Sequence, residues 1–144
     1  MRKVEERDVG RIVAAVYKQV EKTKARSKKR WTHYISADSV LEEIFSTDNA
    51  YIVGETYLVL FNIGTPWYAP PDVLFLEEKL VLHIGGEADF SVVPAFLEQR
   101  AEAEGVHLVG VGTALAISDR SLCRVYSRYG FNPEVVTLIK ETEP

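Results

Sequence analysis

An α/β domain built on one mixed sheet is the fold class that this 144-residue sequence predicts. Three observations lead to it. A helical stripe opens the chain, a block of β-branched and aromatic residues fills its middle, and strand-like and helix-like segments alternate over its last third. Hairpins give antiparallel pairs and a β-α-β run gives a parallel one. The expected sheet is therefore mixed, mostly antiparallel, and covered by helices on both faces.

Val9, Ile12, Val13, Val16, Tyr17 and Val20 recur at spacings of three and four, which predicts a helix over residues 5–26. Lys22, Lys24, Arg26, Lys28, Lys29 and Arg30 follow. Cations suit a helix C-terminus, so the run reads as a solvated helix end rather than a phosphate or nucleic-acid patch. Ser39 and Glu42 have capping-box spacing beside Val40, Leu41, Ile44 and Phe45, and predict a short helix over 38–46. Residues 50–53 and 56–63 are strand-like, with Gly54-Glu55 suited to a two-residue turn. The stretch 64–71 holds three prolines and must be a loop. Its Trp67 and Tyr68 either fold back onto the core or wall a pocket or partner site. Residues 73–76 and 79–84 are two short strands, or one strand bulged at Glu77-Glu78.

Gly85-Gly86 closes the β region. A helix over 90–104 follows, with Ser91 as N-cap, Pro94 in its first turn and Gly105 at its stop. The apolar run 106–117 predicts a strand buried on both faces. Ser118-Asp119 cap a helix carrying Leu122, Val125 and Tyr126 that stops at Gly130, and 135–139 form a last strand. No internal repeat divides the chain, so one domain is expected.

Composition narrows the chemistry. Hydrophobic residues make up 47% of the chain, enough for a core without metal or disulfides. The single cysteine, Cys123, excludes an internal disulfide and a cysteine zinc site, and His33, His83 and His107 are too scattered for a metal cluster. A net charge of -4 argues against nucleic acid and anionic membranes as partners. No apolar run approaches the ~20 residues that span a bilayer, and Met1 to Asp8 is charged with no signal-peptide core behind it. The expected compartment is cytoplasmic.

The segment Asp119-Arg-Ser-Leu-Cys-Arg-Val-Tyr126-Ser-Arg-Tyr-Gly130-Phe131 resembles the Asn-x-x-Ala-x-x-Leu-Tyr-x-x-x-Gly-Phe motif of the GNAT N-acetyltransferases. Tyr126, Gly130 and Phe131 match in place, while Val125, Leu122 and Asp119 stand for Leu, Ala and Asn. The element order extends the resemblance over most of the chain. It implies an acetyl-CoA-dependent transfer to an amine, carried by a small molecule or a protein. It gives Tyr126 the role of general acid, its hydroxyl aimed at the coenzyme A sulfur, and it has Phe131 packed under the sheet. A tyrosine with its ring in the core and its hydroxyl at the rim is the alternative. The family's general base lies near the start of the fourth strand, which makes Glu77 and Glu78 candidates. Read from the residues alone, the pair is a charged hairpin turn. His83 shares strand parity with Glu77 and is a further candidate base.

The family's diphosphate loop, Gln/Arg-x-x-Gly-x-Gly/Ala, falls on Gly85-Gly86-Glu87-Ala88-Asp89-Phe90. The resemblance makes Gly85, Gly86 and Ala88 the cofactor-binding candidates, with Arg124 or Arg120 supplying a cation. The basic lead residue is absent, and Glu87 and Asp89 bring negative charge to an anion site. A plain strand-to-helix turn is the other reading. Tyr57-Leu-Val-Leu-Phe-Asn-Ile-Gly-Thr-Pro-Trp-Tyr and Val111-Gly-Thr-Ala-Leu-Ala116 also resemble small GNAT-related proteins of tailed phages, some of them assigned to virions. That likeness implies a rival: an inactive GNAT-fold phage protein with a protein partner, in the virion or the host cytoplasm.

Overall fold

A computed structural model describes residues 1–112 and 114–142. The helical stripe becomes α1, Val9–Arg26, which turns Ile12, Val16, Val20 and Thr23 inward. A 3₁₀ turn over Glu6–Asp8 precedes it. The second helix, α2, spans Ala37–Ser46, and its N-cap is Ser36, whose hydroxyl accepts the Ser39 N–H at 3.2 Å. The cap therefore sits three residues before the Ser39–Glu42 box that the spacing suggests, and Ser39 takes the N3 position.

Among the described residues five strands form one sheet in the order β1 (Arg2–Lys3), β2 (Ala50–Val53), β3 (Tyr57–Gly64), β4 (Phe75–His83), β5 (Leu108–Val111). The first four pair antiparallel, and β5 runs parallel to β4. The β2–β3 turn uses three residues instead of two. Gly54 and Glu55 both have positive φ (60° and 52°), and Thr56 N–H closes the turn on Val53 O at 3.1 Å.

Residues 75–83 are one strand with a bulge at Lys79: Leu60 pairs with Leu80, but Phe61 pairs with Glu78. A bulge swaps the face of every residue on one side of it. Leu80, Leu82 and Ile84 thus join Ile12, Val16, Ile44 and Leu58 under α1 and α2. Leu76 instead joins Val59, Phe61, Phe96 and Leu97 under α3, Val92–Ala103. Each such fully buried side chain is worth roughly 1.5–3 kcal/mol of transfer free energy. Ser91 makes no side-chain cap for α3; Asp89 Oδ2 accepts the Ser91 N–H at 3.0 Å in its place.

The C-terminal third departs from the sequence reading. Of the strand expected over 106–117, in which Thr113 lies outside the described residues, Leu108–Val111 forms a strand, and it is half-buried rather than covered on both faces. Beyond it, the carbonyls a longer strand would use are bound by side chains. Thr23 Oγ1 donates to Leu115 O at 3.2 Å, and Lys29 Nζ reaches Ala114 O and Ala116 O at 3.4 and 3.5 Å. The last helix, α4, spans Asp119–Ser127, with Ser118 Oγ accepting the Ser121 N–H at 3.2 Å. No strand forms over 135–139: residues 131–142 adopt no regular secondary structure. Among the described residues no helix is long and apolar enough to cross a membrane.

Candidate active site around Glu78 and Tyr126

Of the two carboxylates in β4, the fold buries one. Glu77 is exposed and pairs with Asn62 across the ladder, whereas Glu78 is only 5% exposed. The Lys79 bulge causes the burial, since it turns Glu78 onto the α3 face beside Phe61. Neither residue lies in a hairpin turn. The bulge also overturns the parity argument for His83, which shares a face with Glu78 rather than Glu77. His83 is exposed, its ring edge-on to Tyr57 at 5.4 Å, and its Nδ1 accepts the Gly85 N–H at 3.2 Å.

Burial pushes the Glu78 carboxyl up to about 7. The Gly112 N–H donates to its Oε2 at 3.2 Å and pulls the other way, while the charge of Glu77 adds to the rise. The Tyr126 phenol, 3% exposed, is held well above its ordinary range, first by burial and then by the Glu78 charge. Tyr126 lies in an aromatic shell: Phe90 at 5.5 Å, Phe131 at 5.3 Å, and Tyr57 beyond Phe90 at 5.8 Å. Phe131 is half-buried against Tyr126 rather than packed under the sheet. Sequence spacing gave no sign of Tyr57 or Gly112, and placed Phe90 only at the end of the diphosphate loop. All three meet at this site only through tertiary packing.

Parallel pairing of β4 with β5 ends at Glu78↔Val111. Past the bulge, β4 is bonded to β3 on one side and, among the described residues, to no strand on the other. The site therefore combines a carboxyl poised to exchange a proton near neutrality, a phenol that keeps its proton, and a strand edge open beside them.

The segment 85–88 packs on the β2–β3 turn through Gly86 and Ala88. Gly85 and Gly86 have φ of +108° and +103°, and a Cβ on Gly86 would lie 2.6 Å from Thr56 Oγ1. The buried Thr56 hydroxyl accepts the Ala88 N–H at 3.0 Å and donates to Gly54 O at 2.8 Å. The Gly85 N–H is given to His83, the Ala88 N–H to Thr56 and the Ser91 N–H to Asp89, and the exposed Glu87 and Asp89 carry the wrong charge for an anion site. These residues do not fit a coenzyme A diphosphate. Arg120 and Arg124 are exposed on α4, the latter in its last turn.

Trp67 and Tyr68 do not fold back: they are 94% and 68% exposed and stack edge-on against each other at 5.6 Å. In the basic run, Lys29 pairs with Asp119 at 2.6 Å and so ties the end of α1 to the start of α4. No group of three or more His, Cys, Asp or Glu positioned to hold a metal occurs among the described residues. No family model, curated protein or solved structure matches this chain.

Proposed function

We propose that the protein is an N-acetyltransferase of GNAT type, with Glu78 as general base and Tyr126 as general acid. The observation that carries this reading is the buried Glu78 carboxyl, raised to about 7 and held beside an equally buried tyrosine. The antiparallel β1–β4 order, with β5 parallel to β4 after an intervening helix, agrees with the resemblance of the Tyr126-x-x-x-Gly130-Phe131 segment. An acceptor amine arrives as an ammonium and must lose a proton before it attacks. A carboxylate with a pKa near 7 can take that proton and pass it on. Tyr126, protonated throughout the working pH range, can donate to an anion that develops at the leaving group. Acetyl-CoA is the expected acyl donor, entering along the open edge of β4, with its diphosphate bound outside the segment 85–90.

One observation favours a second reading. The Ala88 amide is taken by Thr56, Gly86 is packed against the β2–β3 turn and Glu87 and Asp89 are acidic, as they would be in a GNAT-fold protein that no longer binds coenzyme A and serves a protein partner instead. Calorimetry with acetyl-CoA, followed by thiol release in the presence of simple amines, separates the two. The enzyme reading expects binding, turnover that falls by roughly 100-fold or more in Glu78→Gln, and a lower kcat with unchanged binding in Tyr126→Phe. Absence of binding at about 1 mM acetyl-CoA would leave the second reading.

A further inference from the structure

The sheet is unfinished on one side, and the chain carries a piece of the right composition to finish it. β5 is bonded to β4 alone among the described residues, so its outer row of N–H and C=O groups is open, and Leu108 is 49% exposed. Bare edges of this kind invite another strand. Residues 135–139 read Val-Val-Thr-Leu-Ile, a β-prone sequence with apolar side chains on both faces. Yet Val135, Val136, Leu138 and Ile139 are 85%, 80%, 92% and 60% exposed, and the segment makes no ladder. Four large apolar side chains in five residues is an exposure that soluble surfaces avoid unless it serves a contact.

The segment is also held where it is. Before it, Phe131 packs on the Tyr126 ring at 5.3 Å; after it, Glu141 Oε1 lies 2.9 Å from His33 Nε2. In this arrangement the stretch makes no ladder with its own β5. We infer that residues 135–139 pair with the outer edge of β5 in a second copy of this chain, and that the second copy returns the same contact. Two equivalent ladders around a two-fold axis would close each sheet and cover the exposed Val, Leu and Ile side chains together with Leu108. The inference is independent of any acetyl-transfer activity.

Sedimentation of the full chain between about 5 and 100 µM tests it, and a dimer is expected within that range. Only alternate N–H groups of a strand face one neighbour. Val136→Pro and Thr137→Pro therefore each remove an amide, and one of the two must weaken the dimer by at least tenfold. Leu138→Lys should do the same. These residues form no ladder in the single chain, so the variants should keep the far-UV spectrum of the wild-type monomer. A wild type that stays monomeric at about 100 µM overturns the inference. So does a dimer undiminished in both proline variants, or amide protection of 135–139 in a monomer.

Discussion

Glu78 costs stability at neutral pH, and the cost has a sign that can be checked. Its folded-state pKa of about 7 lies above the unfolded value near 4.3, so between these the native state holds the extra proton. Stability is then greatest below that window and declines as pH rises through it, by a total on the order of 3 kcal/mol at pH 8. Glu78→Gln keeps an oxygen to accept the Gly112 N–H and removes the ionisation. Denaturant melts should show it close to wild type at about pH 4 and more stable at pH 8, and an equal effect at both pH values would contradict the burial argument. A variant that gains stability while losing turnover would mark Glu78 as a functional group rather than a packing residue. For Phe131, half-burial against Tyr126 sets the expected loss in Phe131→Ala at about 1–2 kcal/mol, below the 3–5 of a fully buried aromatic.

The connection between β4 and α3 depends on contact with the β2–β3 turn. Gly86 sits against Thr56, where an added Cβ would meet Oγ1 at 2.6 Å and the Glu55 carbonyl at 2.8 Å, and its φ of +103° already disfavours a side chain. Gly85 has a similar φ of +108° but open space around it. Gly86→Ala should therefore lose about 2–4 kcal/mol, and Gly85→Ala only about 1, from backbone strain alone. Comparable thermal shifts in the two variants would mean that the turn and the connection are not packed together. The strand β4 is likewise organised by one residue: the Lys79 bulge lets a single run feed two cores.

Across the whole molecule, two buried carboxyls set opposing pH limits. Asp8 is 1% exposed and accepts from the two terminal guanidinium nitrogens of Arg2 at 2.7 and 2.8 Å, from Arg11 at 2.8 Å and from the Glu5 N–H at 2.8 Å. The hydrogen bonds from Arg2, outweighing the opposing effect of burial, hold its carboxyl well below the usual range, so its contribution is complete above pH ~4 and lost as acid protonates it. Glu78 works against stability as pH rises from there. Together they place the stability maximum at about pH 4, well below neutrality, and urea melts across pH 3–9 should find it there. Asp8→Asn leaves two arginines without their buried anion. It should lose about 2–4 kcal/mol at pH 7 and flatten the acid limb of that profile.

Helix α1, the β2–β3 hairpin and the glycine stops were legible in the sequence because each depends on local rules: apolar periodicity, β-branched runs, and positions where only glycine tolerates positive φ. The mixed sheet followed from their order. Local rules also proposed strands over 106–117 and 135–139 from composition alone, but a strand exists only where a partner edge meets it. The Thr23 and Lys29 side chains take the carbonyls of 114–116, and among the described residues no edge reaches 135–139. The choice of Glu78 over Glu77 was hidden for the same reason. A one-residue bulge, fixed by how β3 and β4 pair, decides which carboxylate faces water and which is carried inside, and no pattern along the chain records that pairing.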